Sequence, residues 1–232
     1  MNRIHDEFSL TVHGDSKSSL SATLIEFALN KSLALQHKLP NFVLGMDGMS
    51  GRKYRSFINN LISLMPDARY LEVGSWAGST ACSAMYGNKA KITCVDNWSQ
   101  FGGPRGQFLE NVKLCSNKDI NFNLIESDFR EINYSRLEKY NVYLFDGPHS
   151  RQDQRDGIVL AKPCFDKELI FIVDDWNMTE VREGTFSGIE ASGLSLNYCM
   201  EIRSTQNGLH ASVHGALSEW HNGYFVGVFT GP

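Results

Sequence analysis

A chain of 232 residues, 42% of them hydrophobic, can bury a core without disulfides or structural metals, and single open α/β domains often reach this size. Lysine plus arginine number 22 against 26 aspartates and glutamates, a net charge of −4, so the dense basic face of a nucleic-acid binder is not expected. Five scattered cysteines without a Cys-x-x-Cys pair read as reduced thiols, no apolar run reaches the ~18 residues of a bilayer span, and the first seven residues lack a leader-like apolar core; a soluble, cytoplasmic protein is expected.

Residues 1–50 are set apart as an N-terminal helical and lid segment, and 51–232 as the main domain. Apolar residues at helical spacing predict a helix over 21–35, which Pro40 closes off. Gly45 to Gly51 reads as a flexible loop. Ser50 is the expected cap of the next helix, where Phe57, Ile58, Leu61, Ile62 and Leu64 recur up to Pro66.

From Ala68 the pattern becomes strand, helix, strand, helix. Strands are expected over 68–73, 91–96, 120–125, 141–146 and 169–174, with helices over 79–86 and 107–115. Near-continuous apolar runs of this kind suit a parallel sheet covered on both faces. Residues 224–229 form a strand with no helical crossover before it, as an antiparallel closing strand would. The expected fold is a Rossmann-like, doubly wound α/β domain with a seven-stranded, mostly parallel sheet and an antiparallel C-terminal hairpin.

Acids cluster at the strand ends of this layout. Asp96, Asp128, Asp146 and the pair Asp174 and Asp175 end four strands, and Glu72 sits near the end of the first. Ligands of an open α/β sheet bind outside the carboxyl edge, and unpaired aspartate is costly to bury. Such a row suits a ligand rich in hydroxyls or amines, or a cation.

Glu72-Val73-Gly74-Ser75-Trp76-Ala77-Gly78-Ser79 runs from a strand into a helix. Gly74 permits a tight turn, and the free N–H groups of the helix start can receive a carboxylate. The segment resembles motif I of the class I S-adenosylmethionine-dependent methyltransferases and lacks the Gly-x-Gly-x-x-Gly of nicotinamide-binding folds. That resemblance, over about residues 50–230, implies S-adenosylmethionine as cofactor. It implies contacts from Glu72, Gly74, Ser75, Gly78 and Ser79, with Asp96 and Asn97 at the ribose. Asp128 matches the position facing the adenine amino group, beside Ser127, and Asp146 borders the methyl. Gly48-Met49-Ser50-Gly51 is a candidate lid.

Asp146-Gly147-Pro148-His149-Ser150 and Asp174-Asp175-Trp176 follow the fourth and fifth strands. Their carboxylates resemble those of the Mg²⁺-dependent O-methyltransferases acting on catechol, caffeoyl-CoA and macrolide sugars. The Asp-Gly-x-His-Ser loop is similar to one in a group of small bacterial methyltransferases. The resemblance implies Asp146, Asp174 and Asp175 as ligands for Mg²⁺ or another divalent cation, which would activate a substrate hydroxyl. His149 stands where catechol-type enzymes carry a lysine, and with Asp146 it is the candidate catalytic group, an imidazole able to take a proton near neutrality.

The expected reaction is metal-assisted O-methylation of a small-molecule hydroxyl, sugar or catechol-like, with no nucleic acid or membrane as partner and self-association left open. Three other readings stay open: a metal-free methyltransferase on an amine or acid, a non-catalytic nucleoside-binding regulator, and, more distantly, a nicotinamide oxidoreductase. His210, His214 and His221 invite a zinc reading, but no cysteine lies near and glycines flank the stretch; solvated or substrate-loop histidines are expected. Trp98, Trp176 and Trp220 are candidates for a pocket wall, and Arg105 for a surface charge.

Overall fold

The computed structural model describes residues 7–231; the leader reading over residues 1–6 lies outside them. Eight strands form one sheet in the order β1-β7-β8-β6-β5-β2-β3-β4. Its parallel part comprises β2 (Arg69–Val73), β3 (Ala90–Val95), β4 (Ile120–Ile125), β5 (Tyr140–Phe145) and β6 (Phe165–Val173). β8 (Tyr224–Thr230) runs antiparallel to both β6 and β7 (Ser195–Arg203), and β1 (Ser9–His13) adds antiparallel to β7.

Successive strands step outward from β2 in one direction through β3 and β4, and in the other through β5 and β6. The order therefore reverses between β2 and β5, and a crevice opens at their carboxyl ends. Alternation along each strand divides the core into two layers. Tyr70, Ile92, Val142 and Ile170 face one layer with α1 (Leu20–Leu33) and α3 (Arg52–Leu64), while Leu71, Val73, Tyr143 and Phe171 face the other with α6 (Arg151–Ala161) and α7 (Thr179–Ser192).

The doubly wound sheet with an antiparallel C-terminal end is as expected, with eight strands rather than seven. The extra strand is β1, whose five residues are all exposed and whose alternation rests on Leu10 and Val12 alone, too short a run to mark a strand. α7 was hidden for a different reason. Its sequence carries Gly184 and Gly188, poor helix formers, because a Cβ at Gly184 would stand 2.4 Å from the Arg151 carbonyl oxygen and one at Gly188 2.8 Å from Ile158 Cδ1. The two glycines let α7 lie against α6.

Three local expectations change. α1 stops at Leu33, where Leu35 turns left-handed at φ 51°, before Pro40 is reached. α3 is capped by Gly51, not Ser50; the Ser50 hydroxyl instead pairs with the Ser79 hydroxyl at 2.8 Å and accepts from Arg55 Nε at 3.0 Å. β6 begins at Phe165, ahead of the expected Leu169. The segment before residue 51 shares the main core, with Ala22, Ile25, Ala28 and Leu29 packed in the same layer as Phe57 and Ile58.

Candidate active site

A cavity of about 370 Å³ opens at the carboxyl ends of β2, β3, β4, β5 and β6. Gly74, Asp96, Asn97, Ser127, Asp128, Asp146, His149, Asp174 and Asp175 all line it. Five strand ends thus meet where the sequence placed its acids.

Gly74 has φ 86°, and a Cβ there would fall 1.8 Å from the Asp146 carbonyl oxygen, so only glycine lets the turn after β2 pass the end of β5. Gly78, at φ 87°, is the N-cap of α4 (Ser79–Met85). Asp96 holds this turn in place: one carboxylate oxygen accepts the Ser75 and Trp76 N–H groups at 2.8 and 2.7 Å, the other the Trp98 N–H at 2.6 Å. Asp128 caps the turn after β4 by accepting the Arg130 N–H at 2.9 Å, with Asn97 Nδ2 at 3.4 Å from its other oxygen.

Four sequence candidates do not reach the cavity wall. Glu72 alternates onto the opposite sheet face, with Tyr70, and is fully buried beneath the turn. It accepts from the Tyr70 hydroxyl at 2.5 Å, its Oε1 has no hydrogen-bond partner among the described residues, and burial pushes its carboxyl up to about 7. Ser75 contributes its backbone N–H to Asp96, Ser79 faces Ser50, and Gly78 packs on Phe108.

The acidic end is a linked set. Asp146 and Asp174 hydrogen-bond to one another; burial is the first cause that raises both well above the carboxylate range, followed by the charge of Asp174 at Asp146 and that of Asp175 at Asp174. Asp174 also accepts the Asp175 N–H at 2.7 Å. Asp175 differs: burial pushes it up, but His149 and Asn222 outweigh that and leave it lowered. His149 Nε2 lies 2.8 Å from Asp175 Oδ2, and that hydrogen bond raises the imidazole against its own burial. Ligand atoms of Asp146, His149 and Asp175 lie within 4.8 Å of one another, so two carboxylates and one imidazole form the group able to hold a divalent ion. Asp174 is not in that group; its oxygens are turned to Asp146 and the Asp175 backbone.

The far wall takes in the three histidines that the sequence offered as solvated or substrate-loop residues, and adds Asn222, which it did not offer. His210, His214, His221 and Asn222 line the cavity from the loop between β7 and β8. His210 and His221 gather around Asn222, whose Nδ2 is 2.9 Å from His210 Nδ1 and 3.4 Å from His221 Nε2, and His214 lies against His221. Burial lowers His221 to about 4, so its ring is neutral. The only sequence signal was the density of histidine between Gly208 and Gly223. Seven non-glycine residues have positive φ among those described, and four of them, Trp76, Phe101, Asp175 and His221, line this cavity, as expected where a site holds backbone strain.

Of the other candidates, Trp176 and Trp220 are fully buried packing residues; Trp176 lies on Phe225 and donates to Glu201 at 2.7 Å. Trp98 stands behind the wall against Phe108, while Trp76 lines the cavity. Arg105 is a surface charge paired with Glu126.

Residues 71–176 match the family model of a methyltransferase domain. Among solved structures with this fold, TrmN from Thermus thermophilus aligns with 88% of the chain at 13% identity and a TM-score of 0.51. The chain spans only about half, 52%, of that protein. A candidate O-methyltransferase from Klebsiella pneumoniae aligns over 90% of both chains at 12% identity and a TM-score of 0.50. A candidate RNA methyltransferase, PH1948 of Pyrococcus horikoshii, aligns over 92% of this chain and 98% of its own at 15% identity and 0.52. No curated protein matches the chain in sequence. Residues 71–176, whose strand ends carry the cavity just described, are thus similar to a methyltransferase domain, on a fold that solved methyltransferase structures share.

Proposed function

We propose that the chain transfers the methyl group of S-adenosylmethionine to a hydroxyl of a small molecule. The observation that carries this is the His149–Asp175 pair at the cavity wall, beside the acids that end β5 and β6. The adenosine lies along Asp96, Asn97, Ser127 and Asp128, with the apolar edge of Phe129 as its wall. Glu72, Ser75, Gly78 and Ser79 act from behind, shaping the turn. Met49, in the loop 45–51, borders the same cavity and serves as the lid over it.

The acceptor oxygen attacks the methyl carbon, the carbon–sulfur bond breaks, and its electron pair stays on sulfur to give S-adenosylhomocysteine. With Nε2–H held by Asp175, His149 keeps its lone pair on Nδ1 to take the hydroxyl proton. Asp175 stays ionised and orients the ring. The remainder of the rate comes from positioning and from excluding water.

The acidic end fits a divalent cation. Asp146 and Asp175 would hold it with His149 beside them, and Asp174 would support Asp146 from behind. Such an ion, Mg²⁺ or another of its charge, supplies Lewis acidity to a bound hydroxyl.

A small acceptor is favoured over RNA because, among the described residues, no lysine or arginine lines the cavity, whereas five aspartates do. A phosphodiester brought there would meet like charge. An amine is disfavoured for a related reason: the acids would keep it protonated, without the lone pair that attack requires. Turnover of S-adenosylmethionine against panels of catechols, sugars, amines and short RNAs, with and without Mg²⁺, is the test. Product on a hydroxyl panel is expected; product on RNA alone would overturn the reading.

A further inference from the structure

Asn222 is 2% exposed, yet it borders the cavity, and each hydrogen-bonding group of its side chain is engaged. Its Oδ1 accepts the Ala211 N–H at 2.9 Å. Its Nδ2 donates to Asp175 Oδ1 at 2.5 Å and approaches His210 Nδ1 at 2.9 Å. Its backbone carbonyl accepts the Asn177 N–H at 2.9 Å, tying the start of β8 to the turn after β6.

These bonds join two things that chain connectivity leaves apart. One is Asp175, left-handed at φ 55°, whose other oxygen holds His149. The other is the loop over residues 204–221, which has a single short 3₁₀ turn at Gly215–Leu217 and carries His210 and His214 to the cavity. A loop with so little regular structure is seated by side-chain bonds, and Asn222 supplies two of them.

We propose that Asn222 is the positioning residue of the acceptor half of the site: one amide fixes the carboxylate that orients His149 and seats the loop that bounds the acceptor. This rests on the reading that His149 and Asp175 face the acceptor. An amide is the group this place requires. Alanine would orphan both the Ala211 N–H and an oxygen of Asp175, and aspartate would keep an acceptor for Ala211 while setting a second charge against Asp175.

The test uses the full chain and two signals that need no acceptor. Hydrogen exchange reports the seating of residues 204–221, and the downfield imidazole proton of His149 Nε2, identified by its absence in His149→Ala, reports the bond to Asp175. In Asn222→Ala we expect exchange at Ala211 to rise at least tenfold and the imidazole signal to be lost, with exchange in β2 and β5 unchanged. In Asn222→Asp we expect Ala211 to stay protected while the imidazole signal is lost. Once the panel yields an acceptor, Asn222→Asp should lower kcat at least tenfold with KM within threefold, and Asn222→Ala should worsen both. Unchanged exchange in Asn222→Ala, or a wild-type imidazole signal in Asn222→Asp, would overturn the proposal. Failure of every acceptor panel would count against the proposed reaction and leave both spectroscopic arms intact.

Discussion

His149 and Asp175 meet at 2.8 Å, Nε2 to Oδ2, although the two residues stand at the ends of different strands, β5 and β6. Parallel pairing of Phe145 with Val173 is what brings them level. The bond raises the imidazole and, against burial, lowers the carboxylate, so both shifts favour the charged pair. A base, however, must be neutral. The acidic limb of the kcat profile should therefore lie above the ordinary histidine value, with activity rising as pH passes through it. Asp175→Asn should move that limb to lower pH while lowering the maximal rate, and His149→Ala should cost about 100-fold or more. A limb unmoved by Asp175→Asn would exclude His149 as its source.

Asp146 and Asp174 make the second prediction. Both are raised by burial and by the charge of a neighbouring aspartate, so the folded protein holds extra protons there, and stability falls as pH rises from the ordinary carboxylate range. A divalent cation relieves that repulsion by taking the place of the protons. Added Mg²⁺ or Mn²⁺ should raise Tm more at pH 8 than at pH 5, and Asp146→Asn should abolish the difference. Thermal scans at the two pH values with EDTA as reference decide it; an equal shift at both would show that the ion binds elsewhere.

Much of this site was legible because strand ends are. Asp96, Asp128, Asp146 and Asp174 each follow an apolar run, and once the runs are parallel their carboxyl ends must converge. What alternation decides within a strand was harder to see. Glu72 reads as a ligand by its place in the glycine motif, yet a side chain one residue from Val73 points to the other sheet face. The histidines of the far wall were legible as loop residues but their seating was not: the loop has almost no periodicity, and His210 and His221 are gathered by one amide, Asn222, that no local pattern marks. α7 was concealed by the glycines that let it pack.

Glu72 gives the third prediction. Its carboxyl, raised by burial to about 7, is protonated in the fold at pH values where the unfolded chain has lost that proton. Stability therefore falls as pH rises from the ordinary glutamate value to about 7, and the penalty is fully present above that. Its size is roughly 3 kcal/mol at most. Glu72→Gln keeps the bond from Tyr70 and removes the penalty, so its Tm should exceed wild type at pH 8 and match it near pH 4. Scans of both proteins across that range test this; a Tm gap that does not close in acid would point to a different source of stability.

The last prediction concerns the pair of helices behind His149. α6 starts directly after the His149 loop, its first turn capped by Ser150, which accepts the Asp153 N–H at 3.1 Å. α7 reaches it through Gly184, where an added Cβ would meet the Arg151 carbonyl oxygen at 2.4 Å and Gln154 Cβ at 2.7 Å. Backbone on one side cannot give way cheaply, so Gly184→Val must push the helices apart, at a cost of about 3 kcal/mol. In a domain of this size that lowers Tm by roughly 6–12 °C. Gly106→Ala, in a helix with nothing within 4 Å and an ordinary φ, is the control and should raise stability by about 0.5–1 kcal/mol. Because α6 carries the His149 loop, Gly184→Val should also weaken the His149–Asp175 bond, whereas Gly106→Ala should not. Loss of the His149 Nε2 proton signal in Gly184→Val well below its Tm would establish that link, and its retention would confine the effect of the glycine to stability.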